Sequence, residues 1–179
     1  MQDVLRPDEV EMFAAFGIAS QRAQAVELLL LVNLQYSLAL VGAYETLNHV
    51  DRAAQKLGAV PMGQVFKRLT EFLEDNALKS SIEHAILTRN ALVHGFFNKR
   101  TAGASMTHPE TADAIVWCGT AHTEFDNLHR RLEDRLKAQI ALVAGNPDAV
   151  VPGLRARIKA IERGEWPNAT ATSAPAPPS

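Results

Sequence analysis

Apolar residues recur at helical spacing along most of this chain, and no stretch alternates between apolar and polar in the way a half-buried strand does. No Asn-Gly or Asp-Gly hairpin turn is present either. A first helix is predicted from Pro7 to about Val50. Arg6-Pro7-Asp8-Glu9-Val10 places a proline in the first turn and acids at the positive end of the helix, and Phe16-Gly17 is a point where it can kink. After the break at Leu57-Gly58-Ala59-Val60-Pro61, Val65, Phe66, Leu69, Phe72 and Leu73 predict a second helix over 62–75. Ile82, Ala85, Ile86, Leu92 and Val93 supply the apolar face of a third over 78–96. Thr107-His108-Pro109-Glu110 reads as a capping box. It opens a fourth helix that runs to about Ala144 and stops at Gly145-Asn146-Pro147-Asp148, with Trp117 and Phe125 as core candidates. A short basic helix is expected over 152–163, with Arg155, Arg157, Lys159 and Arg163. Beyond Trp166-Pro167 the Ala, Thr, Ser and Pro tail has too little to bury and is expected to be disordered. The expectation is an all-α, four- to five-helix up-down bundle. Residues 1–165 form its one domain, about 10–144 its core, and 166–179 a tail.

The run from Leu28 to Tyr44 carries no charge over seventeen residues, almost enough to cross a bilayer. Glu27, Asn33, Gln35 and Ser37 are poor company for lipid, so no membrane span is expected. The apolar residues go most of the way round this helix, which calls for burial on more than one side. A second copy of the chain across a dimer interface and a plain central core helix both provide that.

Composition narrows the functional classes. With 18 Lys and Arg against 20 Asp and Glu, the net charge is −2. The molecule as a whole does not attract nucleic acid, and any such contact has to come from a local patch. The single cysteine, Cys118, rules out an internal disulfide and is expected to be a buried thiol in a reducing cytosol. The first residues, Met1 to Glu9, have neither a basic nor an apolar signal region. The expected location is cytoplasmic.

The densest chemistry lies at Arg89-Asn90-Ala91-Leu92-Val93-His94. Arginine is permanently charged and binds phosphate through a planar fork. Histidine alone has an unperturbed pKa near working pH. Asn90 and His94 are four apart and share a helix face. Arg89 and His94 are five apart, roughly 140° around an ideal α-helix. A shared site therefore needs the long arginine to curl round, or a second subunit. These groups suit metal-free cleavage of RNA, in which the 2′-hydroxyl attacks the adjacent phosphorus and the 5′-oxygen leaves. Arg89 would stabilise charge on the phosphoryl oxygens, His94 would move protons, and Asn90 would orient His94 or hold a phosphate oxygen. One histidine does not readily serve as base and acid at once, whereas two facing chains supply two. Lys99 and Arg100 follow, and His84 to Pro109 contains no acid, so a local positive patch for RNA phosphates is expected there. The plainer alternative is a surface salt bridge and a solvated loop. His84 reads as structural. His122 and His129 have a weak ligand spacing, so neither a metal nor a cofactor is expected.

The stretch Arg89-Asn90, Leu92-Val93-His94 and Phe96-Phe97, late in the third helix of an all-helical chain, resembles the signature of the HEPN domains. Pro61-Met62-Gly63-Gln64-Val65 is similar to a helix start found in several groups of that family. The resemblance covers about residues 10–144. It implies a helical bundle that pairs as a homodimer, with the motifs meeting in a basic cleft and Arg89, His94 and the polar Asn90 as catalytic residues. It also implies a metal-independent endoribonuclease that leaves a 2′,3′-cyclic phosphate, in a toxin or defence setting, with a possible antitoxin or nucleotidyltransferase partner. Where one toxin group has an adenylylated tyrosine two residues after the histidine, this chain has Phe96, so that control route has no hydroxyl here. Two alternatives stay open. One is a catalytically inactive HEPN-like module binding a protein or nucleotide partner; the other is a dimerising helical regulator without phosphate chemistry.

Overall fold

The computed structural model describes residues 5–40, 52, 61–96 and 106–145. Among them are four α-helices: α1 (Pro7–Leu40), α2 (Met62–Leu69), α3 (Asn76–Asn90) and α4 (His108–Gly145). A 3-10 turn, Thr70–Phe72, follows α2, and a π-helical turn, Ala91–Gly95, continues α3. No strand occurs among the described residues, and the all-α helical bundle expected from the pattern is what forms. The continuation of the first helix towards Val50, the basic helix at 152–163 and the tail at 166–179 lie outside the described residues.

Local chemistry explains where the helices begin. At the start of α1 the backbone N–H of Arg6 donates to Glu9 Oε2 at 2.9 Å, and Asp8 and Glu9 lie in the first turn, where the helix dipole favours acids. Gly17 does not interrupt α1, which runs as one helix of 34 residues. Asp75 caps α3, its carboxylate accepting from the N–H groups of Ala77 at 2.8 Å and Leu78 at 3.0 Å. The Leu78 N–H leads in holding the Asp75 carboxyl below its ordinary range, and Arg131 adds to it. Before α4, Glu110 Oε2 accepts from both the N–H and the hydroxyl of Thr107, at 2.9 and 2.8 Å. That is the glutamate's half of the expected capping box.

Polar ties fix how the helices run. Along one seam Arg6 Nη2 donates to Met106 O at 2.5 Å, Arg22 pairs with Asp126, Asn33 Nδ2 donates to Leu132 O at 3.2 Å, and Gln139 Nε2 donates to Ser37 Oγ at 2.8 Å. Partner numbers rise together, so α1 and α4 run in the same direction. In the other comparison they fall. Arg131 reaches Asp75 and Ser81 near the start of α3, His84 meets Glu124, and Phe96 stacks on Trp117. The chain therefore runs up in α1, down in α3 and up in α4. Arg135 ties in the end of the short segment by donating to Phe72 O at 2.8 Å.

The core is continuous. Val26, Leu30 and Leu34 of α1 share one buried cluster with Leu69, Ile82, Leu92, Cys118, Phe125 and Leu132. A smaller cluster joins Tyr36 and Ala39 to Leu136 and Ile140. From Leu29 to Leu40 no residue of α1 is exposed. By length and composition α1 could cross a membrane, yet its Asn33 is fully buried and bonded to α4, the behaviour of a core helix. Two expectations need correction. Val93, expected on the apolar face of its helix, is 44% exposed, and Trp117, a core candidate, is 37% exposed; no described neighbouring helix covers either position fully.

Two outcomes test this packing. Phe125→Ala should cost about 3–5 kcal/mol and Val116→Ala less than about 0.5 kcal/mol in urea unfolding; similar costs would contradict the burial of α4. His129 sits in the α1–α4 seam, where burial first, and then Arg22, push its pKa down, against Glu133 and Asp126. The unfolded chain thus takes up a proton that the fold resists. The stability this histidine contributes is complete above its ordinary 6.5 and is lost as pH falls below it. His129→Leu should flatten the fall in urea midpoint on the acid side of that value, and an unchanged fall would contradict the placement.

Candidate functional site

Residues 89–94 occupy the end of α3, where regular α-helix gives way to the π-helical turn Ala91–Gly95. Gly95, a poor helix former, closes that turn. Among the described residues no heavy atom lies within 4 Å of where a Cβ at Gly95 would stand. The turn is held from inside. Leu92 is fully buried, and Phe96 is buried between Phe16 of α1, with centroids 4.6 Å apart, and Trp117 of α4, 6.3 Å apart. With Leu92 and Phe96 pointing in, His94 points out and is exposed.

The turn changes the geometry of the motif. A π-helix closes its hydrogen bonds one residue later than an α-helix and is wound wider, so each residue advances by a smaller angle. The angle around the helix between the Arg89 and His94 backbone positions is therefore smaller than the roughly 140° of an ideal α-helix. Single π turns inside α-helices are frequent at functional sites.

Arg89 is partly exposed and is held by Glu27 of α1, its Nε donating to Glu27 Oε1 at 2.5 Å. Its Nη1 lies 3.5 Å from Asn90 Oδ1, at the outer limit of a hydrogen bond. Arg89 and Asn90 are thus brought together, and Asn90 at the end of α3 and His94 on the following turn are both exposed. Lys99 and Arg100, the expected phosphate contacts, lie outside the described residues.

Glu27 is the member that spacing did not reveal. It lies 62 residues before Arg89. The signal that points to it is its isolation, since it is the last charge before seventeen uncharged residues, and a half-buried acid there needs a cation.

α3 presents a different side to α4. There Ser80, Ser81, His84, Glu124, Asn127 and Arg131 line an open groove of about 380 Å³. Four of its polar groups are engaged with one another. His84 Nε2 is 3.2 Å from Glu124, and Arg131 donates to Ser81 Oγ at 2.7 Å. His129 faces Arg22 and Glu133, and no group of three or more metal-ligating side chains occurs among the described residues. Cys118 is buried. Comparison with protein-family models, curated proteins and solved structures gives no match for this chain.

Proposed function

We propose that this protein is a metal-independent endoribonuclease of HEPN type, acting in the cytoplasm as a homodimer in a toxin or defence setting. The observation that carries the reading is the exposed His94 on a π-helical turn, directly after the Arg89–Asn90 pair. Arg89 would take the negative charge that gathers on the phosphoryl oxygens. His94 of one chain would remove the 2′-hydroxyl proton, and the partner's own imidazole would protonate the leaving 5′-oxygen. Asn90 would hold a phosphate oxygen or steady His94, and Lys99 and Arg100 would bind the flanking phosphates. No cofactor enters this chemistry.

A dimer across this edge is supported by what surrounds the motif. Leu28 follows Glu27, Leu87 stands one turn before Asn90 on its face of α3 and Val93 precedes His94, and these three are 53%, 67% and 44% exposed. Apolar side chains beside charged catalytic candidates suit a surface that a second copy covers. A possible antitoxin or nucleotidyltransferase partner would also have to approach here to block the cleft.

One observation favours the second reading, a catalytically silent HEPN-like module that binds a protein or nucleotide. The Glu27 carboxylate at Arg89 Nε offsets the positive charge that a phosphodiester would meet.

The two readings separate in one assay. Wild type, Arg89→Ala, Asn90→Ala and His94→Ala, matched for fold and oligomeric state, are incubated with total RNA in excess EDTA. The ribonuclease reading expects wild-type cleavage leaving 2′,3′-cyclic phosphate ends, with Arg89→Ala and His94→Ala slower by about 10²–10⁴-fold. Leu87→Lys is expected to dissociate the dimer in sedimentation and to lower cleavage with it. Absence of cleavage by the wild type across several RNA classes selects the silent module. Equal cleavage by all variants contradicts the site.

A further inference from the structure

We infer that Glu27 is a positioning residue for Arg89, anchoring the guanidinium through Nε so that its Nη edge is delivered beside Asn90 to a phosphodiester. The inference rests on the ribonuclease reading above and adds a residue from a different helix to that site.

The geometry is specific. The contact is a charge-assisted hydrogen bond of 2.5 Å between Arg89 Nε and Glu27 Oε1, while Nη1 is the atom turned towards Asn90 Oδ1 at 3.5 Å. The guanidinium is a rigid planar fork, so an acceptor fixed on Nε sets the direction of the two Nη groups. Without that anchor a long arginine at a helix surface samples many rotamers, and each encounter with substrate has to freeze them. Glu27 is well placed for this work because it stands on α1, the core helix, one residue after the fully buried Val26.

Anchoring outweighs neutralisation at this place. Both side chains retain about 30% of their exposure, 29% for Arg89 and 30% for Glu27. Solvent screens a pair of that kind, so the carboxylate offsets only part of the attraction of Arg89 for phosphate. What it fixes is the direction of the fork, and misplacing a catalytic group by about 1 Å can cost on the order of 100-fold in rate.

The test compares Glu27→Ala, Glu27→Gln and the double variant Glu27→Ala/Arg89→Ala with wild type and Arg89→Ala, each at equal oligomeric state. Single-turnover cleavage of a short RNA in EDTA gives rate and affinity separately. The Arg89 Nε–Hε signal in NMR reports the tether without any reaction. Expected for Glu27→Ala is a rate lower by about 10–100-fold, little change in RNA affinity, and loss of the protected Hε signal. Glu27→Gln keeps an acceptor in place and should recover most of the rate and the signal. The double variant should be no slower than Arg89→Ala, because both act through one group.

Faster cleavage by Glu27→Ala and Glu27→Gln would overturn the inference and make Glu27 a quencher of Arg89. Additive losses in the double variant would overturn it by showing an action apart from Arg89. An unchanged Hε signal in Glu27→Ala would remove the tether itself. A wild type silent towards RNA would overturn the ribonuclease reading, and with it any catalytic purpose for the tether. The Hε signal would then still distinguish a tether without catalysis from no tether at all.

Discussion

The parallel seam between α1 and α4 is the constraint on which the rest of this structure depends. Its apolar part, with Val26, Leu30 and Leu34 of α1 and Cys118, Phe125 and Leu132 of α4 in one buried cluster, supplies most of the drive to pack, because burial of apolar area is the dominant favourable term. Apolar contact alone tolerates sliding by a turn. The polar ties do not. Arg6 to Met106, Arg22 to Asp126, Asn33 to Leu132 and Ser37 to Gln139 are spread from one end of α1 to the other. A shift of one turn would separate all four, and the buried Asn33 amide would keep only its bond to Leu29 O in its own helix, losing a buried hydrogen bond worth about 0.5–1.5 kcal/mol.

Once that seam is set, α3 has one place to go. Asp75 and Ser81 are gripped by Arg131 at one end, and Phe96 is stacked between Phe16 and Trp117 at the other. Pinned at both ends, α3 turns Arg89 towards α1 and His84 towards α4. The two histidines on this helix therefore belong to different surroundings. His84 is committed to Glu124, whereas His94 rides on the π-helical turn and is exposed. Arg89 lies on the α1 side of α3, and Glu27 is what the core helix contributes to it.

Much of this was legible in the chain because the relevant physics is local. Pro7 with Asp8 and Glu9, and Thr107 with Glu110, are start signals that act within one turn, and helices begin at or beside both; Asp75, which the apolar spacing puts at the end of the second helix, instead caps the start of α3. The grouping of Arg89, Asn90 and His94 on one stretch of helix needed only spacing. What was not legible depends on partners far away in sequence. Periodicity places Val93 on an apolar face, but exposure is decided by which helices arrive, and no described helix covers it completely. The direction of α1 relative to α4 follows from contacts about a hundred residues apart. The π-helical turn replaces an α-helical turn that the residue types would equally allow, and the Glu27 tether spans 62 residues.

The central claim is that Arg89 and His94 serve one RNA site at the end of α3. An NMR titration with a short 2′-O-methyl oligoribonucleotide, which lacks the attacking hydroxyl, tests it most directly. A shared site shifts the Arg89 side-chain signals and the His94 ring signals together, along one binding curve, while the His84 ring stays still. Movement of only one of the two, or of His84 in place of His94, would contradict a shared site.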